Sequence, residues 1–114
     1  MDIAEKIKLL EDSKKKIDTL TDELKKREIE KAKAEGIYRQ ALAKKIIELR
    51  NNKVPANCVG DVARGSHDIA VLRYNRDVAV IERDQLKIKI KNEYMQIEQI
   101  RSLLAYDRAN YLNQ

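Results

Sequence analysis

The chain has 114 residues and a net charge of +5; 38% of its residues are charged and only 4% are aromatic, all of these Tyr. That length holds one domain at most, and a globular core without Trp or Phe lacks the side chains that bury most area. One cysteine cannot close a disulfide within the chain, no apolar run approaches the roughly 18 residues of a membrane span, and the charged start MDIAEKIKLL does not read as a secretory leader. A cytoplasmic protein without membrane contact is the expectation.

So much Lys, Glu, Ile and Leu points to long helices joined along narrow seams. The first helix is predicted over about residues 2–51. In a seven-residue frame one column reads Ile3, Leu10, Ile17, Leu24, Lys31, Tyr38 and Lys45, and its neighbour reads Ile7, Lys14, Thr21, Glu28, Glu35, Leu42 and Leu49. These are the d and a positions of a heptad seam, apolar at its start and polar in the middle of the a column. Gly36 weakens this helix by about 1 kcal/mol relative to Ala without ending it.

Residues 52–66 form a structured turn. They hold the only proline, Pro55, and the only cysteine, Cys58; the only histidine, His67, follows at once. Proline disfavours helix at the residue before it and suits the first position of a new one. Val59, Val62 and Ala63 share a face, so a short helical plug is expected, ended by Gly65 in the left-handed conformation.

The second long helix is predicted over about 67–112, opened by Ser66 or Asp68. Its seam reads Ile69, Leu72, Arg76, Ala79, Arg83, Leu86, Ile90, Glu93, Ile97, Ile100, Leu104 and Tyr111. Two helices of this length, each roughly 70 Å at 1.5 Å per residue, gain most of their stability by packing. The fold class is therefore all-α: an antiparallel two-helix coiled-coil hairpin, one domain over 1–114, with a short helix in its turn.

The second helix carries a further apolar column. Tyr74, Ile81, Ile88 and Met95 are seven residues apart, opposite the seam, with Val71 and Val78 beside them. A surface helix keeps that side polar. A second copy is the expected cover, giving a helical bundle, most simply a dimer. Within the seam, Arg76 and Arg83 share a seven-residue spacing with Glu28 and Glu35, so an antiparallel register pairs Arg76 with Glu35 and Arg83 with Glu28; the competing reading puts both arginines on the seam's rim, with stems buried and heads solvated.

Residues 1–35 sum to zero charge, 36–53 to +4, 54–91 to +2 and 92–114 to −1. A hairpin gathers Lys44, Lys45, Arg50, Lys53, Arg64 and Arg73 at its turn as a basic tip. Such a tip attracts an acidic protein partner or, by phosphate neutralisation, nucleic acid, with Tyr38 and Tyr74 available to stack.

Catalytic chemistry is not expected. Cys58 and His67 lack a third orienting group. Only Asp61 and Asp68 could join them around a metal, short of the usual Cys/His set. The sequence GDVARG lacks the spacing and lysine of a phosphate loop. No cofactor is implied.

Residues 54–81, VPANCVGDVARGSHDIAVLRYNRDVAVI, contain Pro55, an Asp61-Val62-Ala63-Arg64-Gly65 step, Ile69-Ala70-Val71-Leu72-Arg73 and Arg76-Asp77-Val78-Ala79. This quarter of the chain resembles small helical proteins of bacteriophages and prophages of Gram-positive bacteria. The resemblance implies a phage accessory protein acting in the host cytoplasm, and it supplies no chemistry. The expected function is non-enzymatic: an oligomeric helical interaction protein that binds a host or phage protein. The alternative is a nucleic-acid-binding accessory factor of phage replication or recombination, acting through the basic tip.

Overall fold

A computed structural model describes residues 1–113, and the described residues form three helices: α1 (Ile3–Asn51), α2 (Val59–Gly65) and α3 (His67–Leu112). Asp2 caps α1. Its carboxylate accepts the Glu5 backbone N–H at 2.8 Å and its carbonyl accepts that of Lys6 at 3.1 Å, which satisfies donors that a helix start leaves open. No proline interrupts α1, and Gly36 sits at an exposed position with nothing within 4 Å of where a Cβ would stand.

The end of α1 is closed by two backbone hydrogen bonds. Val54 N–H reaches Leu49 C=O at 3.0 Å, and Lys53 N–H reaches Arg50 C=O at 3.0 Å. This is the Schellman pattern, which places one residue in the left-handed region. That residue is Lys53, with φ 68°. The left-handed position expected at Gly65 is thus displaced: no glycine has positive φ. Pro55 does not open α2 either. It precedes a turn in which its carbonyl accepts N–H bonds from Cys58 at 3.2 Å and Val59 at 3.0 Å, so the new helix begins four residues later, at Val59. Ser66 joins α2 to α3 in an extended conformation. Its carbonyl accepts the Ala70 N–H, while its hydroxyl bonds back to the Val62 carbonyl at 3.0 Å. Its side chain therefore serves the helix it ends, not the one it starts.

The chain's contacts divide into two units, each built from parts of α1 and α3. The terminal unit comprises Met1–Lys25 and the chain from Asp84 onward. Ile17, Leu86, Ile97 and Ile100 form its buried core, with Leu10, Leu20, Leu24, Ile90 and Leu104 half-buried. Lys6 pairs with Asp107 and Lys16 with Glu93. Numbers rise along α1 as they fall along α3, so the two stretches run antiparallel in this unit. The central unit is Lys26–Arg83. Tyr38, Val59, Ala63 and Ile69 are its buried apolar residues. Its cross-helix pairs, Arg27 with Glu82, Glu28 with Arg83 and Lys45 with Asp68, again run in opposite directions. Of α2, Val59 and Ala63 are buried and Val62 is 44% exposed; a helix of seven residues, about two turns, presents one side chain per turn inward.

The expected seam of α3 faces inward at every position except Tyr111, which is 76% exposed. The seam of α1 differs from expectation at its start. Ile3, Ile7, Lys14 and Thr21 are exposed, while Lys6 and Ser13 are buried. The d column is accompanied first by Lys6, Ser13 and Leu20, and from Glu28 onward by Glu35, Leu42 and Leu49, all half-buried. A helix of 3.6 residues per turn drifts by about 20° per heptad against a strict seven-residue repeat, so a column that begins beside the seam moves into it.

Candidate interaction surfaces

Three groups of residues are candidates for interaction, and the structure treats them differently. The first is the outer face of α3. Val71, Tyr74, Ile81, Ile88 and Met95 are 43%, 68%, 59%, 53% and 53% exposed, and Val78 is half-buried. In the central unit this face carries Val71, Tyr74, Val78 and Ile81; in the terminal unit it carries Ile88 and Met95. Large apolar side chains at this spacing form a stripe that monomers seldom leave in water.

The second group is the set of seam charges. Arg83 Nη1 lies 3.6 Å from Glu28 Oε1, and its side chain is only 17% exposed. Arg76 does not reach Glu35. Its guanidinium carbon stands 4.5 Å from the centre of the Tyr38 ring and its Nη2 lies 3.0 Å from Asp77, while Glu35 pairs with Arg39 at 3.1 Å along α1. A weakly hydrated guanidinium gains more over a buried ring than from a carboxylate that already has an i,i+4 partner. Tyr38 is 5% exposed beneath it, so it is not available to stack on a base; Tyr74 is.

The third group is basic. The central unit has thirteen basic and eight acidic residues, and the terminal unit eleven of each, so the whole excess of +5 belongs to the central unit. Of the six residues expected to form a basic tip, Lys45 is engaged by Asp68 at 3.0 Å and Arg64 by Asp61 at 3.7 Å. Lys44, Arg50, Lys53 and Arg73 are exposed and have no ion pair among the described residues. The Lys45 ammonium beside Asp68 holds that carboxyl below its ordinary pKa, helped by the Ile69 backbone N–H.

Cys58 is half-buried, with its thiol 3.5 Å from the Pro55 carbonyl, and His67 is exposed. No three His, Cys, Asp or Glu side chains gather to hold a metal among the described residues, and no helix there is long and apolar enough to cross a membrane. Sequence reasoning missed the Arg76–Tyr38 stack and the left-handed Lys53. The first is visible in the sequence only as a tyrosine in a seam column; the second has no signal, since lysine is not a residue that favours positive φ. No family model matches the chain, and neither the curated proteins nor the solved structures yield a match.

Proposed function

We propose that this protein is a non-enzymatic, self-associating helical interaction protein, folded as an antiparallel hairpin. Copies join through Val71, Tyr74, Val78, Ile81, Ile88 and Met95. The observation that carries this reading is the exposure of that regularly spaced apolar face on α3. The assembled protein presents the basic central unit to an acidic protein partner. The bacteriophage setting, an accessory factor in the host cytoplasm, rests on the resemblance of residues 54–81 alone.

The test is mass in solution. The unaltered protein sediments as a dimer or larger species at micromolar concentration. The double substitution Ile81→Glu with Ile88→Glu converts it to monomer, with helix content retained by circular dichroism. A monomeric unaltered protein at high concentration overturns the reading.

A second reading, nucleic-acid binding, is favoured by the four unpaired cations Lys44, Arg50, Lys53 and Arg73. Titration with single-stranded and duplex DNA across a salt series separates the two. Absence of binding at low salt removes this second reading.

A further inference from the structure

The outer face of α3 contains more order than its apolar residues alone reveal. Val71, Tyr74, Val78, Ile81, Gln85, Ile88, Asn92 and Met95 follow one another at alternating steps of three and four. That is the a/d spacing of a complete second heptad seam. Its a positions are Val71, Val78, Gln85 and Asn92, and its d positions are Tyr74, Ile81, Ile88 and Met95. Gln85 and Asn92 are exposed, like most of their apolar neighbours. Such a seam fits a helix that offers polar groups at two particular layers.

Resting on the self-association proposed above, we infer that the occupant is α3 of a second copy, aligned parallel and in register. Three observations select it. The first is polar matching. In the parallel register each layer pairs like with like, so Gln85 meets Gln85 and Asn92 meets Asn92. Each amide carries both donors and an acceptor, so these pairs satisfy one another. The antiparallel register that overlaps all eight positions instead sets Gln85 against Ile81 and Asn92 against Tyr74, giving four mixed layers. Gln85 then has no polar group opposite it, and a buried amide without a partner is costly. The second is register: a polar Asn at an a position, here Asn92, specifies the alignment of a coiled-coil pair. The third is area. The six apolar side chains expose on the order of 500 Å² per copy, so a pair removes on the order of 1,000 Å², the lower limit for a specific interface.

Parallel pairing sets the two copies' basic central units beside each other, and their repulsion opposes it. These charges are exposed, however, and are screened beyond about 8 Å at physiological ionic strength. Mismatched amides inside the seam have no such relief.

The inference is tested by cross-linking in a Cys58→Ser background, which removes the only native thiol. Met95→Cys lies on an exposed seam position, so it leaves the fold intact. In the parallel pair the two introduced thiols face each other, and mild oxidation converts most of the protein to a covalent dimer. In the antiparallel pair residue 95 of one copy lies beside residue 71 of the other, roughly 36 Å along the helix from its twin. There, Met95→Cys alone gives no covalent dimer, whereas an equal mixture with Val71→Cys does. That second pattern, in a protein that still sediments as a dimer, overturns the parallel register and leaves self-association standing. A monomer by sedimentation overturns both.

Discussion

Lys53 is the residue whose backbone departs most from what its side chain prefers. Its φ of 68° lies in the region where a Cβ meets the following carbonyl, at a cost of roughly 1–2 kcal/mol. Glycine at this position removes the clash but loosens the unfolded chain by about 0.4–1 kcal/mol. Lys53→Gly is therefore expected to stabilise the protein by about 0.5–1 kcal/mol relative to Lys53→Ala, as measured by thermal or urea unfolding. The comparison with Ala holds the lost charge constant, so equal stabilities would mean that the backbone strain is not real. Asp68 gives a second test at this scale. Its pKa is depressed by Lys45, so the pair contributes stability above the ordinary carboxylate range, and that contribution is lost as pH falls through the depressed pKa. The site is largely exposed, and the effect is small. Asp68→Asn should lower the melting temperature slightly near neutrality, with the difference vanishing in strong acid. A difference that persists unchanged at low pH would point to helix capping rather than to the charge.

At the scale of elements, α3 was the most legible part of the molecule. Its seam residues from Ile69 to Leu104 all face inward, because no glycine or proline disturbs the 3.6-residue period between Ser66 and the end of the helix. The start of α1 was less legible. Ile3 and Ile7 are apolar, yet they are 50% and 44% exposed, while Lys6 is 8% exposed and bonded to Asp107. Periodicity ranks residues by hydropathy and cannot anticipate that an ion pair across the helices draws a lysine inward. The turn failed for a different reason, since proline and glycine mark where a helix stops without saying which residue takes the strained cap. Glu93 shows where an element is open to improvement. It occupies a seam position at 17% side-chain exposure. One carboxylate oxygen stands 3.9 Å from Lys16, and the other is buried without a hydrogen-bond partner among the described residues. Replacing a poorly paired seam charge with an apolar residue of similar size is neutral or stabilising by about 1–4 kcal/mol. Glu93→Leu should raise stability by about 1 kcal/mol in urea unfolding, whereas a loss of that size would show that the Lys16 pair is worth more than its geometry suggests.

At the scale of the whole molecule, two surfaces of opposite chemistry obey different laws. The outer face of α3 is apolar, and burying it is a hydrophobic process that moderate salt leaves unchanged or slightly strengthens. The +5 excess of the central unit is electrostatic, and any polyanion that it binds must displace screening ions. Salt therefore separates self-association from partner binding without any substitution. Between 50 and 200 mM salt the dimer dissociation constant, measured by sedimentation, should hold or fall, because no released counterion enters the reaction and salt screens the repulsion between the two basic units. Over the same range a duplex that engages the four unpaired cations of the expected tip, Lys44, Arg50, Lys53 and Arg73, would lose roughly 150-fold in affinity, since the logarithmic slope is about −0.9 per phosphate neutralised. Reversing Arg50 and Lys53 to Glu should reduce that slope by about 2 while leaving the dimer intact. A self-association that weakens with salt as steeply as this would assign the interface between copies to the basic surface and remove α3's outer face from that role.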